Sequence, residues 1–242
     1  AAQAGSRQVI TFSQKDPEAD IYASQVRKRG NDILFRVRSR RFSREFRLTM
    51  PGLFNVENAL AAIAAARVLG VPEEAVRRGL LTTTVRGRTE VYPHEGDYIV
   101  LIDYAHNEAA AECLLRTLRA YRPTRLVAVF GCGGARSRLR RFGMGSVCAR
   151  LADFCIITED NSRGEPVEHI LADIRAGLRL GNPATPFAEI PDRRQAIYYA
   201  LDHAQPGDII AILGKGHETT IERGGIKEPF VEREIVEEYW GR

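Results

Sequence analysis

Ile99-Val100-Leu101-Ile102-Asp103-Tyr104-Ala105-His106-Asn107 is the stretch on which the fold turns: an apolar run ends abruptly in an acid, an aromatic and a histidine. A continuous apolar run this short reads as a strand buried on both faces, the kind found in parallel sheets. Leu126 to Phe130, Phe154 to Thr158 and Ile209 to Leu213 have the same character. Helical stretches lie among them at Glu108 to Ala120, Met144 to Leu151, Val167 to Leu178 and Arg193 to His203. Strands alternating with helices require right-handed crossovers, so the pattern predicts an α/β domain with a mainly parallel sheet. A boundary is placed near Glu90, giving the end of one domain over residues 1–90 and a complete domain over 91–242.

Upstream the pattern differs. Val9 to Phe12, Ile21 to Val26, Ile33 to Val37 and Phe42 to Leu48 read as a small strand meander, with a polar turn at Lys28-Arg29-Gly30-Asn31-Asp32. Pro51-Gly52 punctuates its end. An Ala-rich helix follows from Val56 to Leu69, stopped by Gly70, and Pro72 opens a second over Glu73 to Leu81.

Composition excludes several classes. Hydrophobic residues are 44% and charged residues 27% of the 242, ordinary for a globular chain able to fold without staples. The longest apolar stretch, Ala59 to Ala66, falls far short of the roughly 20 residues that span a bilayer. No signal-peptide pattern opens the sequence. Cys113, Cys132, Cys148 and Cys155 have neither CxxC pairing nor metal-ligand spacing, which points to reduced thiols in a cytosol and to no bound metal. The net charge of +4 suits anionic small molecules and is too mild to argue for nucleic acid. One local excess, Arg36, Arg38, Arg40, Arg41, Arg44 and Arg47, reads either as a solvated hairpin or as a phosphate-binding strip.

In open α/β sheets ligands sit beyond the C-terminal ends of the strands, and that is where the unusual residues fall. After the first strand, Asp103 can accept from ribose hydroxyls with His106 beside it, or it can cap the following helix. After the second comes Gly131-Cys132-Gly133-Gly134-Ala135-Arg136, a loop that permits close backbone approach and presents Arg136. The basic run Arg136, Arg138, Arg140 and Arg141 strengthens the case for an anion site. The third strand ends in Thr158-Glu159-Asp160-Asn161-Ser162-Arg163, either a helix-entry turn or part of a site. The fourth ends in Gly214-Lys215-Gly216-His217-Glu218, which lacks the spacing of a phosphate-binding P-loop; GxxxxGK[ST] occurs nowhere in the chain.

Taken in order, these clusters resemble the C-terminal part of the Mur ligases of the MurE type. The likeness runs from Pro51 to about Phe230. It is carried by Gly52-Leu53-Phe54-Asn55-Val56-Glu57-Asn58, Gly87-Arg88-Thr89-Glu90, the Asp-Tyr-Ala-His stretch, the Gly-Cys-Gly-Gly-x-Arg loop, Asp-Asn-Ser-Arg, and Gly-Lys-Gly-His-Glu. It implies a C-terminal Rossmann-like domain preceded by the last part of a central ATP-binding domain. It implies an adenine contact at Asn58, a position near the ATP phosphates for Arg88, and nucleotide contacts across an interdomain cleft at Asp103 and His106. For the incoming amino acid it implies Arg136, Asp160, Asn161, Ser162, Arg163, Gly214 and Glu218. Arg163 would meet a second carboxylate and Glu218 an ammonium, as meso-diaminopimelate requires. Ser162 stands where the family usually has Pro, Ala135 and Ser137 where many members have Asp, and Phe142-Gly143 in place of Pro-Leu.

The implied function is ATP-dependent ligation of a diamino acid to UDP-N-acetylmuramoyl-L-alanyl-D-glutamate, with Mg²⁺, in the cytoplasm, by a monomer acting on small molecules. The family's P-loop, carbamylated lysine and Mg²⁺ ligands lie upstream of these residues, so the catalytic residues of phosphoryl transfer are unassigned here. The 242-residue chain alone is expected to be inactive. A folylpolyglutamate-synthetase-like ligase, a non-catalytic binding module and a nucleic-acid binder are the rival readings.

Overall fold

The computed structural model describes residues 9–29, 32–40, 42–50, 52–53, 55–83 and 85–241. Of the residues singled out above, Gly30, Asn31, Arg41, Pro51 and Phe54 lie outside these. The chain divides into two compact units, Ala1–Thr84 and Val85–Arg242.

In the first unit, β1 (Phe12–Ser13), β2 (Ile21–Arg29), β3 (Asp32–Ser39) and β4 (Ser43–Leu48) form a sheet in that order. Only the β1–β2 pair is parallel. The strand expected over Val9 to Phe12 reduces to two residues, beginning where Phe12 pairs with Ile21. Alternation puts Ile21, Ala23, Phe35, Val37, Phe46 and Leu48 on one buried face. Phe35 and Phe46 pair across strands with ring centroids 6.0 Å apart. Helix α1 (Asn55–Val68) closes this core with Val56, Leu60, Ile63 and Ala64, the spacing of one helical face, and α2 (Glu73–Thr82) adds Leu80.

The second unit is a sheet flanked by helices. Its elements are β5 (Glu90–Pro93), β6 (Ile99–Asp103), α3 (Glu108–Arg119), β7 (Leu126–Phe130), α4 (Arg138–Leu151), β8 (Phe154–Ile157), α5 (Val167–Gly181), β9 (Phe187–Glu189), α6 (Arg193–Asp202) and β10 (Ile209–Leu213). A hairpin of β11 (Thr220–Arg223) and β12 (Ile226–Pro229) and helix α7 (Glu232–Trp240) complete it. The strand order is β5-β6-β10-β7-β8-β9, parallel throughout except for β5. Strand period splits each run between two cores. Leu126, Ala128 and Phe130 enter the core under α3, α4 and α5, while Val127 and Val129 enter the one under α6 and α7. Both faces are covered, which is why the strands read as unbroken apolar runs.

Two expectations shift. The segment from Val85 to Glu90, expected with the first domain, belongs to the second unit. Its backbone is tied there: Tyr104 N–H donates to Gly87 O at 2.8 Å and Thr89 N–H to Asp103 Oδ2 at 2.7 Å. Helix α4 begins at Arg138, not Met144, because two of the arginines in its first turn are neutralised by Asp173 and Glu165.

Candidate functional site

At the C-terminal ends of β6, β7, β8 and β10 lies a cavity of about 100 Å³. The end of β6 contributes Tyr104 and His106 to its wall, and the loop after β7 contributes Arg136, with Arg140 from α4. The loop after β8 contributes Asp160, Asn161 and Arg163, and the loop after β10 contributes Gly214 and Glu218. Four strand ends meet at one rim, where helix crossovers leave the sheet open. A second cavity of about 440 Å³, lined by Arg86, His217 and Arg233 among others, shares Glu218 with the first.

The four arginines of the basic run divide by the partners available to them. Arg138 and Arg141, three apart, both turn to Asp173 on α5. Arg141 is 1% exposed, donates to both oxygens of Glu165 at 2.7 and 2.6 Å, and holds the Glu165 carboxyl below its usual range. Arg136 and Arg140 are exposed and line the cavity, and their side chains have no hydrogen-bond or ion-pair partner among the described residues. Half of the run is therefore structural, and half faces a ligand space.

Arg163 is built into the wall. It has φ of +54°, left-handed for a non-glycine residue, and is held there by its N–H to Glu222 O at 3.0 Å. Its Nη1 donates to Gly134 O at 2.8 Å. Gly134 is a true requirement, since a Cβ there would lie 1.9 Å from Ser162 O. Ser162 itself is 4% exposed and does not line the cavity; its hydroxyl reaches back to Glu222 O at 3.5 Å.

The cavity wall also carries two carboxylates, Asp160 and Glu218. Asn161 Nδ2 donates to Glu218 Oε2 at 2.9 Å, and the wholly buried Lys215 donates to the same oxygen at 2.8 Å. Lys215 Nζ also lies 3.1 Å from Asn161 Oδ1 and 3.6 Å from Asp160 Oδ1. Glu218 Oε1 receives no hydrogen bond among the described residues. The buried Cys132 lines the same cavity, with its thiol pushed up to about 12 by burial.

Asp103 does not cap the following helix; both its oxygens are engaged by backbone N–H groups. It is 5% exposed and does not line the cavity. Oδ2 accepts from Thr89 N–H at 2.7 Å and Oδ1 from Ala105 N–H at 2.7 Å, while burial raises its pKa. The helix cap is Asn107, which accepts from Ala110 N–H at 3.0 Å. Asp103 thereby fixes the backbone around Tyr104, whose ring is approached by the Arg88 guanidinium at 4.9 Å, by His106 at 4.7 Å and by His217 at 4.9 Å. His106 Nδ1 is bonded to Tyr104 O at 2.9 Å. Gly87, at φ +67°, lets this loop close, because a Cβ would lie 1.9 Å from His217 N.

Asn58 is exposed on α1 in the first unit, where its Nδ2 donates to Asn55 Oδ1 at 3.0 Å. The arginine strip of that unit is largely occupied with its neighbours. Arg44 pairs with Glu73 at 3.3 Å, Arg47 Nε with Asp32 at 2.6 Å, and Arg38 donates to Pro17 O at 2.6 Å, as in a solvated hairpin.

Sequence reading missed Lys215, Tyr104 and Arg193. Lys215 carries a usable signal, a lysine directly after a buried strand and between two glycines, where no exposed stem is available to it. Arg193, fully buried, donates to Glu159 O at 3.0 Å, Leu213 O at 2.7 Å and Glu232 Oε1 at 2.8 Å, stapling the ends of β8 and β10. Its partners are 20 or more residues distant, so no local pattern marks it. Among the described residues no three His, Cys, Asp or Glu side chains could hold a metal ion, and no helix is long and apolar enough to cross a membrane.

Residues 87–216 match the family model for the Mur ligase glutamate ligase domain, and residues 1–66 that for the Mur ligase middle domain. The chain is 42% identical over 230 residues to a UDP-N-acetylmuramoyl-L-alanyl-D-glutamate–2,6-diaminopimelate ligase of Caldanaerobacter subterraneus subsp. tengcongensis, covering 95% of this chain and 47% of that protein. It is 40% identical over 216 residues to a UDP-N-acetylmuramyl-tripeptide synthetase of Deinococcus radiodurans, covering 88% and 44%. A solved UDP-N-acetylmuramoyl-L-alanyl-D-glutamate–2,6-diaminopimelate ligase superposes with a TM-score of 0.63 at 33% identity, over 95% of this chain and 47% of that one. The chain spans about half the length of the relatives it matches.

Proposed function

Since the chain belongs to the Mur ligase family, we propose that it is part of an ATP-dependent ligase joining meso-diaminopimelate to UDP-N-acetylmuramoyl-L-alanyl-D-glutamate in peptidoglycan synthesis. As proposed, the protein works in the cytoplasm as a monomer on small-molecule substrates. The second unit supplies the amino-acid pocket. The observation that carries this reading is the presence of both charges in one cavity, whose lining includes Arg136, Arg140 and Arg163 together with Glu218 and Asp160. A zwitterionic amino acid has the complementary pattern.

In this pocket Arg136 and Arg163 take carboxylate, and the free Glu218 Oε1 takes ammonium. The remaining amine is thereby aimed at a carboxyl group activated by phosphorylation. Its nitrogen bonds to the acyl carbon, the bond from that carbon to the phosphate oxygen breaks, and the amine's proton leaves with the departing phosphate. Holding the amine in place is this chain's contribution to rate, through orientation and fixed charge. Tyr104, with Arg88 and His106 against its ring, forms a cationic and aromatic ledge suited to a nucleotide. The described residues contain no cluster fit for Mg²⁺, so no step is assigned through the metal. Phosphoryl transfer is assigned to residues outside these 242, which contain no GxxxxGK[ST] stretch.

Calorimetry of the 242-residue chain with meso-diaminopimelate tests the pocket. Saturable binding is expected, weakened roughly tenfold or more by Glu218→Gln, the scale of one charge-assisted hydrogen bond. Equal binding by the variant would remove Glu218 from the site.

A further inference from the structure

Lys215 stands behind the cavity wall and meets three of the residues that form it. Its side chain is wholly buried and does not line the cavity, while Asp160, Asn161 and Glu218 do. Its Nζ donates to Glu218 Oε2 at 2.8 Å and to Asn161 Oδ1 at 3.1 Å, and lies 3.6 Å from Asp160 Oδ1. These contacts fix more than a charge. Asn161 Oδ1 also accepts from Glu222 N–H at 3.0 Å, which leaves the amide NH₂ to face Glu218 Oε2, to which it donates at 2.9 Å. Glu218 Oε2 thus has two donors, and Oε1 receives no hydrogen bond among the described residues. One carboxylate oxygen is tied to the protein and the other is open to a ligand. Asp160 has a separate hold, accepting from Asn161 N–H at 2.6 Å.

We propose that Lys215 is a positioning residue for ammonium recognition: by anchoring Oε2 and the Asn161 amide it holds the Glu218 carboxylate in the cavity wall with Oε1 open, without touching the ligand itself. This rests on the amino-acid-pocket reading above. The physical reason lies in the two carboxylates that share one ammonium. Asp160 and Glu218 both approach the same Nζ, and without it they are like charges in a region largely shielded from water, where repulsion is strong. Asp160 is buried and tied to the Asn161 backbone, whereas Glu218 is partly exposed and is the one able to swing outward. Oε1 would then leave the position in which it meets an ammonium, and a charge-assisted hydrogen bond depends on that geometry. Removing the lysine also removes a positive charge, which by Coulomb's law alone would favour a cationic group. Positioning and charge therefore predict opposite signs.

The test is calorimetry of meso-diaminopimelate with wild type, Lys215→Met, Glu218→Gln and the double variant, each fold being checked by circular dichroism melting. Lys215→Met should weaken binding roughly threefold to tenfold, and no more than Glu218→Gln, because the lysine acts only through that carboxylate. For the same reason the double variant should bind within about twofold of Glu218→Gln. Additive losses overturn the proposal, since a lysine that merely supports the pocket's shape weakens binding whether or not Glu218 is charged. Unchanged or tighter binding by Lys215→Met overturns it too, and leaves the lysine as a charge alone. Should Lys215→Met fail to fold, isotope labelling of the lysine nitrogens, read by NMR, decides on wild type. Lys15, Lys28 and Lys227 are not buried, so the Nζ signal protected from exchange belongs to Lys215. That signal should shift when meso-diaminopimelate saturates wild type and shift less when it saturates Glu218→Gln; a signal unmoved in wild type overturns the proposal. If wild type binds no diaminopimelate, the pocket reading itself fails, an outcome distinct from all of these.

Discussion

Lys215 Nζ lies 2.8 Å from Glu218 Oε2, and the lysine is wholly buried while the glutamate side chain is 30% exposed. An ammonium without solvent depends on its partners, whereas the carboxylate has water as an alternative. Lys215→Met should therefore cost about 1–3 kcal/mol of stability, less than a doubly buried pair, because Glu218 can rehydrate. Urea unfolding measures it. A loss below about 0.5 kcal/mol would mean that the pair adds little beyond a surface bridge.

The pair Arg193–Glu232 is the opposite case, with both side chains at 0% exposure and 2.6 Å apart. Arg193 also donates to two strand-end carbonyls, so its removal orphans three acceptors together. Arg193→Met should cost about 3–5 kcal/mol, the scale of a buried charge left alone. The corresponding loss for Glu232→Gln should be smaller, since burial already raises the Glu232 pKa and its Oε2 has no partner among the described residues. If both variants unfold at the wild-type urea midpoint, the staple is not a stabilising element.

Acid should weaken the α4–α5 contact. Arg138 and Arg141 hold the Asp173 carboxyl below its usual range, with Arg138 giving the larger part. Arg138 is 72% exposed, so water screens its share, and the 2%-exposed Arg141 is the firmer partner. A folded pKa below the unfolded one stabilises the protein above the ordinary carboxylate pKa of about 4, and that stability is lost as pH falls through the folded value. Asp173→Asn should thus be less stable than wild type at pH 7 and lose stability less steeply toward pH 3. Urea midpoints at the two pH values decide it, and parallel declines would remove Asp173 from the acid response.

How far these elements were legible depends on burial. Strands β7 and β10 fall on the expected residues because every position is buried and polar residues bound the run. Strand β12 is exposed at all four positions and has no apolar alternation to read. Helix α7 contributes chiefly Ile235 and Val236 to the core, too few to mark a helical face. In the site, Arg136, Arg163 and Glu218 were legible from loops that follow buried strands. The difference between Arg140, which faces the cavity, and Arg141, which is buried, was not. It depends on Asp173 and Glu165, 24 or more residues away.

Asp103 gives a sharper test of positioning against ligand contact. Its two oxygens receive backbone N–H groups from Thr89 and Ala105, both at 2.7 Å, in a site 5% exposed. Asparagine has nearly the same shape but exchanges one acceptor oxygen for an NH₂ donor. Whichever way the amide turns, that donor meets an N–H, and a buried donor is left without an acceptor. Asp103→Asn should cost about 1–3 kcal/mol and loosen the loop that holds Tyr104 against Arg88 and His106. If Asp103 acted only by touching a ligand, the variant would keep its unfolding midpoint and lose nucleotide binding alone. Urea unfolding and nucleotide titration on the same sample separate the two, and an unchanged midpoint would refute the positioning role.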